Sequence, residues 1–277
     1  MIEFTPIADG VLVARTSPLD VATSLVIGDT SALVIDTLST GYQAEALVRA
    51  VRELTALPLV VLNTHAHFDH WFGNALVAPA GEPVWAHRNA IDTMIDDGDR
   101  EPAASALRYR REDPVFADGI AAVTLRPANR AIRGIEVLDL GGRSVSVAHH
   151  GRGHTNGDLV ATVQGTGVIF AGDLVEEGAP PSFGSDSYPL EWPDAVAALL
   201  ADAAADARVV PGHGAVLDLD RVREQHDQLA AFAWLIREGH ADGASAEAVA
   251  ARSPWPAEAC LGGVNRGFAN LDDPVAP

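Results

Sequence analysis

The segment Thr64–His70 constrains this chain most strongly, because three histidines and one aspartate fall within six consecutive residues. It follows the apolar, β-branched stretch 57–63, which is typical of a buried strand. Imidazole and carboxylate groups bind first-row metals, and Zn²⁺ suits such a mixed set. His65 and His67 stand two apart and face the same side of an extended chain, whereas the next two ligands follow where the chain turns. The loop therefore predicts ligands for two neighbouring cations; a polar loop with accidental histidines is the alternative.

Three further candidate ligands come shortly after apolar strand signals. His154 lies in a glycine-rich loop, Asp173 follows Ala-Gly, and His213 stands in Pro-Gly-His-Gly. A carboxylate at the end of a buried strand is costly unless it is paired or bound to a metal, so Asp173 is predicted to bridge the two cations. The predicted sets are His65, His67 and His154 for the first metal and Asp69, His70 and His213 for the second metal, with Asp173 shared.

Two more polar residues at strand ends have open roles. Asp36 closes an apolar run, where it either orients a metal ligand or satisfies loop amides. His87 opens a predicted helix and is expected to cap or pack rather than to bind a metal.

Composition narrows the classes of partner. The 277 residues include 38 Asp and Glu but only 19 basic residues, all of them Arg, which gives a formal charge of -19. Such a chain repels phosphate backbones, so no nucleic acid is expected as substrate. A single cysteine excludes an internal disulfide, no apolar stretch reaches membrane-spanning length, and no signal peptide is evident. We therefore expect a cytoplasmic protein with a small-molecule substrate and no membrane contact; the oligomeric state stays open.

The length and pattern predict one domain over residues 1–277. Segment 92–134 breaks the pattern, because an acidic run is followed by a basic one; it is either a solvated face or a partial cap over the site, and we favour the cap. Residues 219–277 are predicted to be a C-terminal helical extension, with helices at 219–238 and about 245–252 before a mostly irregular tail.

With these four loops in place, the chain resembles the metallo-β-lactamase superfamily. The motifs His65-Ala-His67-Phe-Asp69-His70, His154, Ala-Gly-Asp173 and Pro-Gly-His213-Gly occur in the family's order, over roughly residues 8–240. The resemblance implies an α+β fold, the αβ/βα four-layer sandwich, in which two β-sheets face each other with helices outside and metals along one edge. It also implies the same seven ligands in the same two sets.

The implied function is that of a dinuclear zinc-dependent hydrolase with two Zn²⁺ per chain; iron and manganese are alternatives. Two cations lower the pKa of a bound water, so a bridging hydroxide exists near neutral pH and attacks the substrate carbonyl. Asp69 and Asp173 are the predicted catalytic residues, and Asp69 both binds metal and steers the proton of the hydroxide. The expected substrate is a small ester, lactone, thioester or lactam.

Departures from the better-known branches leave the substrate open. The most familiar zinc β-lactamases carry cysteine where Asp173 stands and bind the substrate carboxylate with a lysine, which this chain lacks. Acyl-homoserine lactonases have tyrosine at the position of Glu176, and glyoxalase II uses basic and Tyr residues in that region. A non-haem iron oxidoreductase of the same fold, similar to persulfide dioxygenases, is the alternative, and a metal-free binding protein is a third. Retention of all seven ligands favours the hydrolase.

Acidic residues also flank the motifs. Asp69, Asp158, Glu176 and Glu177 predict an acidic pocket mouth that prefers neutral substrates. Arg152, beside His154, is the exception, because a guanidinium can bind a carboxylate with two hydrogen bonds.

Overall fold

The computed structural model of this chain describes residues 2–98 and 100–272. Its strands are β1 (Thr5–Ala8), β2 (Val11–Thr16), β3 (Val21–Ile27), β4 (Ala32–Ile35), β5 (Leu59–Leu62), β6 (Val84–His87), β7 (Arg130–Ile132), β8 (Ile135–Asp139), β9 (Ser144–Ala148), β10 (Val160–Val163), β11 (Val168–Gly172), β12 (Arg208–Pro211) and β13 (Leu217–Asp218). Its helices are α1 (Gly41–Leu54), α2 (Phe68–Trp71), α3 (Asn74–Val77), α4 (Arg88–Asp96), α5 (Glu101–Tyr109), α6 (Pro114–Ala121), α7 (Trp192–Asp202), α8 (Leu219–Ala241), α9 (Ala246–Ala250) and α10 (Ala257–Asp272).

The strands form two mixed sheets. The first runs β1-β2-β3-β4-β5-β6-β7, antiparallel up to β4 and parallel from β4 to β7. The second runs β13-β12-β11-β10-β9-β8, and its one parallel pair is β11 with β12. The parallel strands are the ones that carry most of the candidate ligands at their carboxyl ends, so the pairing gathers those ligands at one edge.

Three apolar clusters define four layers. The middle cluster joins the sheets, with Val26 and Ile35 on one side and Val147 and Phe170 on the other. A second cluster packs α1, α4 and α6 on the outer face of the first sheet, and a third packs α7, α8 and α10 on the outer face of the second. Successive side chains of a strand point to opposite faces of the sheet, so one strand contributes side chains both to the middle cluster and to an outer cluster. The predicted αβ/βα sandwich is confirmed.

Side-chain caps mark the start of several helices. The hydroxyl of Thr40 accepts a hydrogen bond from the amide of Gln43 at the start of α1, and Asp218 caps α8 in the same way. His87 accepts the amide hydrogen of Asn89 at the start of α4, which confirms its predicted capping role.

The prediction of a mostly irregular tail after residue 252 is wrong, because α10 spans Ala257–Asp272. Glycine lowers helix propensity, and this helix contains the weak helix formers Cys260, Gly262, Gly263 and Gly267. Two of these glycines allow close packing: a Cβ at Gly263 would lie 2.8 Å from the ring of Phe183, and one at Gly267 would lie 2.6 Å from Ile236. Tertiary contact thus favours the helix where local propensity does not.

Asp99, within the predicted cap, and residues 273–277 of the predicted extension lie outside the described residues. Within the described part of the chain, no helix is both long enough and apolar enough to cross a membrane.

Candidate metal centre

The seven candidate ligands converge at one edge of the sandwich. The histidine-rich loop follows β5, and its last two ligands lie in the short helix α2. Asp173 directly follows β11, and His213 follows β12, which pairs with β11 in parallel. Parallel strands bring their carboxyl ends to the same edge, so the fold joins residues far apart in sequence.

The ligand atoms form two groups. Those of His65, His67, His154 and Asp173 lie within 4.8 Å of one another. Those of Asp69, His70 and His213 lie within 4.8 Å of one another as well.

Asp173 stands between the two groups. Its Oδ2 lies 3.4 Å from His154 Nε2 and 3.4 Å from His213 Nε2, while its Oδ1 lies 3.3 Å from His70 Nε2. The carboxylate therefore faces nitrogen atoms of both sets. The absence of a side chain at Gly212 leaves room for this carboxylate, because a Cβ atom there would lie 1.7 Å from Asp173 Oδ1.

Buried polar atoms without partners show that the cluster fits cations. His65 Nε2, His70 Nε2 and Asp173 Oδ1 are buried and have no hydrogen-bond partner among the described residues, and both nitrogen atoms lie within 3.8 Å of the Asp173 carboxylate. Buried polar atoms are nearly always paired, so three orphaned atoms in one place need an explanation. Imidazole nitrogens and carboxylate oxygens at this spacing are the donor set that divalent first-row metals bind.

In the second group, neighbouring acceptors fix the histidine rings. Asp36 Oδ2 accepts a hydrogen bond from His70 Nδ1 at 2.8 Å, and the same carboxylate accepts the amide and hydroxyl of Thr64. The carbonyl oxygen of Leu19 accepts from His213 Nδ1 at 2.8 Å. Both rings therefore turn Nε2 toward the centre, as metal-binding histidines commonly do. Of the two roles open for Asp36, the structure supports both, since it holds a ligand and a loop amide.

In the first group, one carboxylate from the segment after Asp173, that of Asp186, pairs with a histidine ring, which the sequence did not indicate. Asp186 Oδ2 accepts a hydrogen bond from His67 Nε2 at 2.9 Å, which directs His67 Nδ1 toward His154 Nε2, 2.8 Å away. The carboxylate of Glu176 lies 3.9 Å from His154 Nδ1, which is too long for a hydrogen bond. No local sequence signal marks Asp186, because it lies in a loop rich in glycine and serine.

The cluster's charge distribution favours positive charge at its centre. Burial lowers the pKa of His154 to about 4 and that of His65 well below its usual range. Burial opposes the charging of His70 and His213 too, but the carboxylate of Asp173 and its neighbours outweigh it and raise their pKa values to about 9 and about 11. Burial alone would raise the pKa of Asp173, yet the surrounding histidines hold it well below its usual range. The negative charge that raises the pKa of these two histidines would equally favour a divalent cation in place of the protons.

A cleft of about 740 Å³ opens over the two groups. One wall of the cleft comes from segment 92–134, which contributes Thr93, Met94, Asp97, Glu101, Arg108 and Tyr109. The segment between Asp173 and α7 closes another side.

Charged side chains line the cleft unevenly. Eight carboxylates and two guanidinium groups, those of Arg108 and Arg266, border it. Glu176 and Glu177 are among the carboxylates, but the flanking Asp158 is buried and bonds to Thr155 instead. Burial raises the pKa of Glu176 to about 8, so it contributes less negative charge than its position in the sequence suggests.

Arg152 does not border the cleft. It donates two hydrogen bonds to Glu191 and lies 4.3 Å above the ring centre of Tyr188. Arg152 therefore binds the carboxylate of Glu191 and not the carboxylate of a substrate.

Comparisons with known proteins agree with this geometry. The family model described as metallo-beta-lactamase superfamily matches residues 16–213, which is most of the chain and includes all seven candidate ligands. A curated relative, the probable metallo-hydrolase YqgX of Bacillus subtilis (strain 168), is 26% identical over 162 residues, covering 58% of this chain and 69% of its own.

Solved structures share the fold at low identity. A metallo-beta-lactamase from Pontibacter korlensis is 20% identical, with a TM-score of 0.67 over 83% of this chain and 99% of its own. FIM-1 from Pseudomonas aeruginosa, in its mono-zinc form, is 20% identical, with a TM-score of 0.62 over 83% of this chain and 95% of its own. At this identity the likeness establishes the architecture.

Proposed function

This chain belongs to the metallo-beta-lactamase superfamily, and we propose that it is a dinuclear zinc-dependent hydrolase of small esters, lactones, thioesters or lactams. That it is a metal-dependent hydrolase follows from the family and the curated relative. The number of metals, their identity as zinc and the substrate class are the parts we propose.

One observation carries the proposal: Asp173 lies between two ligand groups that together hold seven donors. Each oxygen of this carboxylate has histidine nitrogen atoms within 3.4 Å, and its Oδ1 has no hydrogen-bond partner. A single-metal site needs three or four protein ligands. Seven donors split around a shared carboxylate support two cations.

Metals held there would activate a water as nucleophile at neutral pH and polarise the scissile carbonyl. The chain's own residues prepare that chemistry. Asp36, Asp186 and the carbonyl of Leu19 hold three histidine rings in the orientation that turns the free nitrogen to the centre. Asp69 lies 3.4 Å from His213 Nε2, where its carboxylate can also accept a proton from the attacking water.

We further propose that segment 92–134 acts as a partial cap within a single domain. Its side chains form one wall of the cleft, and α5 contacts α2, the helix that carries Asp69 and His70. A cap so placed would limit substrate size and exclude bulk water other than the water that attacks the substrate.

Elemental analysis combined with a substrate panel tests the proposed function. Protein prepared without chelator is expected to contain two zinc ions per chain and to hydrolyse at least one of a set of chromogenic esters, lactones, thioesters and cephalosporins. Removal of metal should abolish that activity, and zinc should restore it. One metal or fewer per chain would contradict the dinuclear site, while iron with oxygen uptake would favour the oxidoreductase.

The charges that line the cleft predict a preference for neutral substrates. Carboxylates outnumber guanidinium groups there, and the two cations offset only part of that charge. For matched neutral and anionic esters, kcat/KM is therefore expected to be higher for the neutral ester, and the difference should shrink as salt increases. The comparison is made at low and high ionic strength. A salt-sensitive preference for the anion would contradict the prediction and point to Arg108 and Arg266.

A further inference from the structure

We propose that the hydroxyl group of Tyr109 donates a hydrogen bond to the substrate, so that segment 92–134 supplies a catalytic residue as well as a wall of the cleft. The inference rests on the proposed hydrolytic function and deepens it. It names a residue outside the two ligand groups that contacts the reacting molecule.

The position of Tyr109 is fixed by aromatic packing. Tyr109 is the last residue of α5, and its ring centre lies 5.9 Å from that of Phe68 and 5.2 Å from that of Phe116. Phe68 directly precedes Asp69 in the metal loop, so this contact ties the phenol to the second ligand group. Tyr109 borders the same cleft as Asp69 and His213.

The hydroxyl group has no structural task within the described part of the chain. None of the described residues forms a hydrogen bond with it, and it is not one of the buried polar atoms that lack a partner, so it remains accessible to a bound molecule. The contacts with Phe68 and Phe116 involve the ring alone, and a phenylalanine would serve them equally well. The hydroxyl is thus the one part of this side chain for which the fold offers no role.

Its protonation state suits a donor. Burial, and then the negative charge of Asp69, raises the pKa of the Tyr109 hydroxyl above its usual value. The group therefore keeps its proton at neutral pH.

A donor at this place would act on the charge that develops during hydrolysis. When water attacks the carbonyl carbon, a substrate oxygen gains negative charge, and a fixed O–H in a partly closed cleft stabilises that charge more than bulk water does. Tyr109 contributes a hydrogen bond only. It forms no covalent bond and gives up no proton.

The test compares Tyr109→Phe with Tyr42→Phe. Both changes delete one phenolic hydroxyl, but Tyr42 lies in α1, is 48% exposed and does not border the cleft. For the best ester of the substrate panel, Tyr109→Phe is expected to reduce kcat by about 10- to 100-fold with a smaller change in KM. Zinc content and the thermal midpoint should equal those of the wild type, and Tyr42→Phe should have the wild-type kcat.

Each other result overturns the inference. An active wild type with an equally active Tyr109→Phe variant would show that the hydroxyl is not used, while the proposed function would stand. A loss of zinc or of thermal stability in Tyr109→Phe would assign the hydroxyl a structural role. An equal loss of kcat in both variants would show that the effect is not specific to Tyr109. A wild type that is inactive on the whole panel would instead reject the proposed function.

Discussion

Replacing Asp173 with alanine is expected to leave at most one metal per chain and to reduce kcat/KM by about 1,000-fold, which corresponds to the several kcal/mol that metal ions contribute to such reactions. The carboxylate lies between both ligand groups, so its loss removes a donor from each. It also removes the negative charge that favours positive charge near His70 and His213. Elemental analysis and steady-state kinetics measure the two effects.

Two further variants sharpen the result. Asp173→Asn keeps the shape and one oxygen, so it is expected to retain more metal than the alanine variant. Asp194→Ala removes a carboxylate from the exposed side of α7, where no metal effect is expected. If Asp173→Ala kept two zinc ions and wild-type activity, this residue would not be the bridge.

The seven candidate ligands could be picked out and expected to lie together because their signals are local. Each candidate ligand lies in a short motif that follows a strand, and the residue types within that motif indicate metal binding. The order of these motifs also identified the family and therefore the four-layer fold. Asp36 could be noticed for the same reason, since it closes an apolar strand.

What the sequence did not disclose depends on contacts between distant segments. His67 and Asp186 are 119 residues apart, and Asp186 lies in a loop without periodic signals. The role proposed for Tyr109 depends on how α5 packs on α2, and α10 depends on close contacts that its glycines permit. In each of these cases, tertiary packing determines the structure, and the residues that are neighbours in the sequence do not reveal that packing.

The second large effect is expected at Asp36. The variant Asp36→Ala should lower the free energy of unfolding of the metal-free protein by about 3 kcal/mol, because a buried carboxylate that accepts three hydrogen bonds is removed. The amide of Thr64 would then lie buried without an acceptor. Alanine is also strained at this position, where φ is 62°, a conformation that Asp and Asn tolerate better.

The same change should weaken metal binding at the second ligand group. Without Asp36, nothing holds Nδ1 of His70, and the ring can turn its Nε2 away from Asp173. Loss of such an orienting partner typically reduces metal affinity 10- to 100-fold. Urea unfolding of the metal-free protein and competitive zinc titration measure the two effects separately.

Matched variants separate strain from the lost contacts. Asp36→Asn keeps the backbone conformation and part of the hydrogen bonding, so both effects should be smaller than with alanine. Asp20→Ala places alanine at another positive φ, 58°, where the aspartate is half-exposed and pairs with Arg15. Its unfolding free energy therefore reports mainly the strain. Equal stability losses at both sites would mean that the contacts of Asp36 contribute little, whereas a larger loss at Asp36, with weaker zinc binding, is expected if this buried carboxylate organises the metal loop.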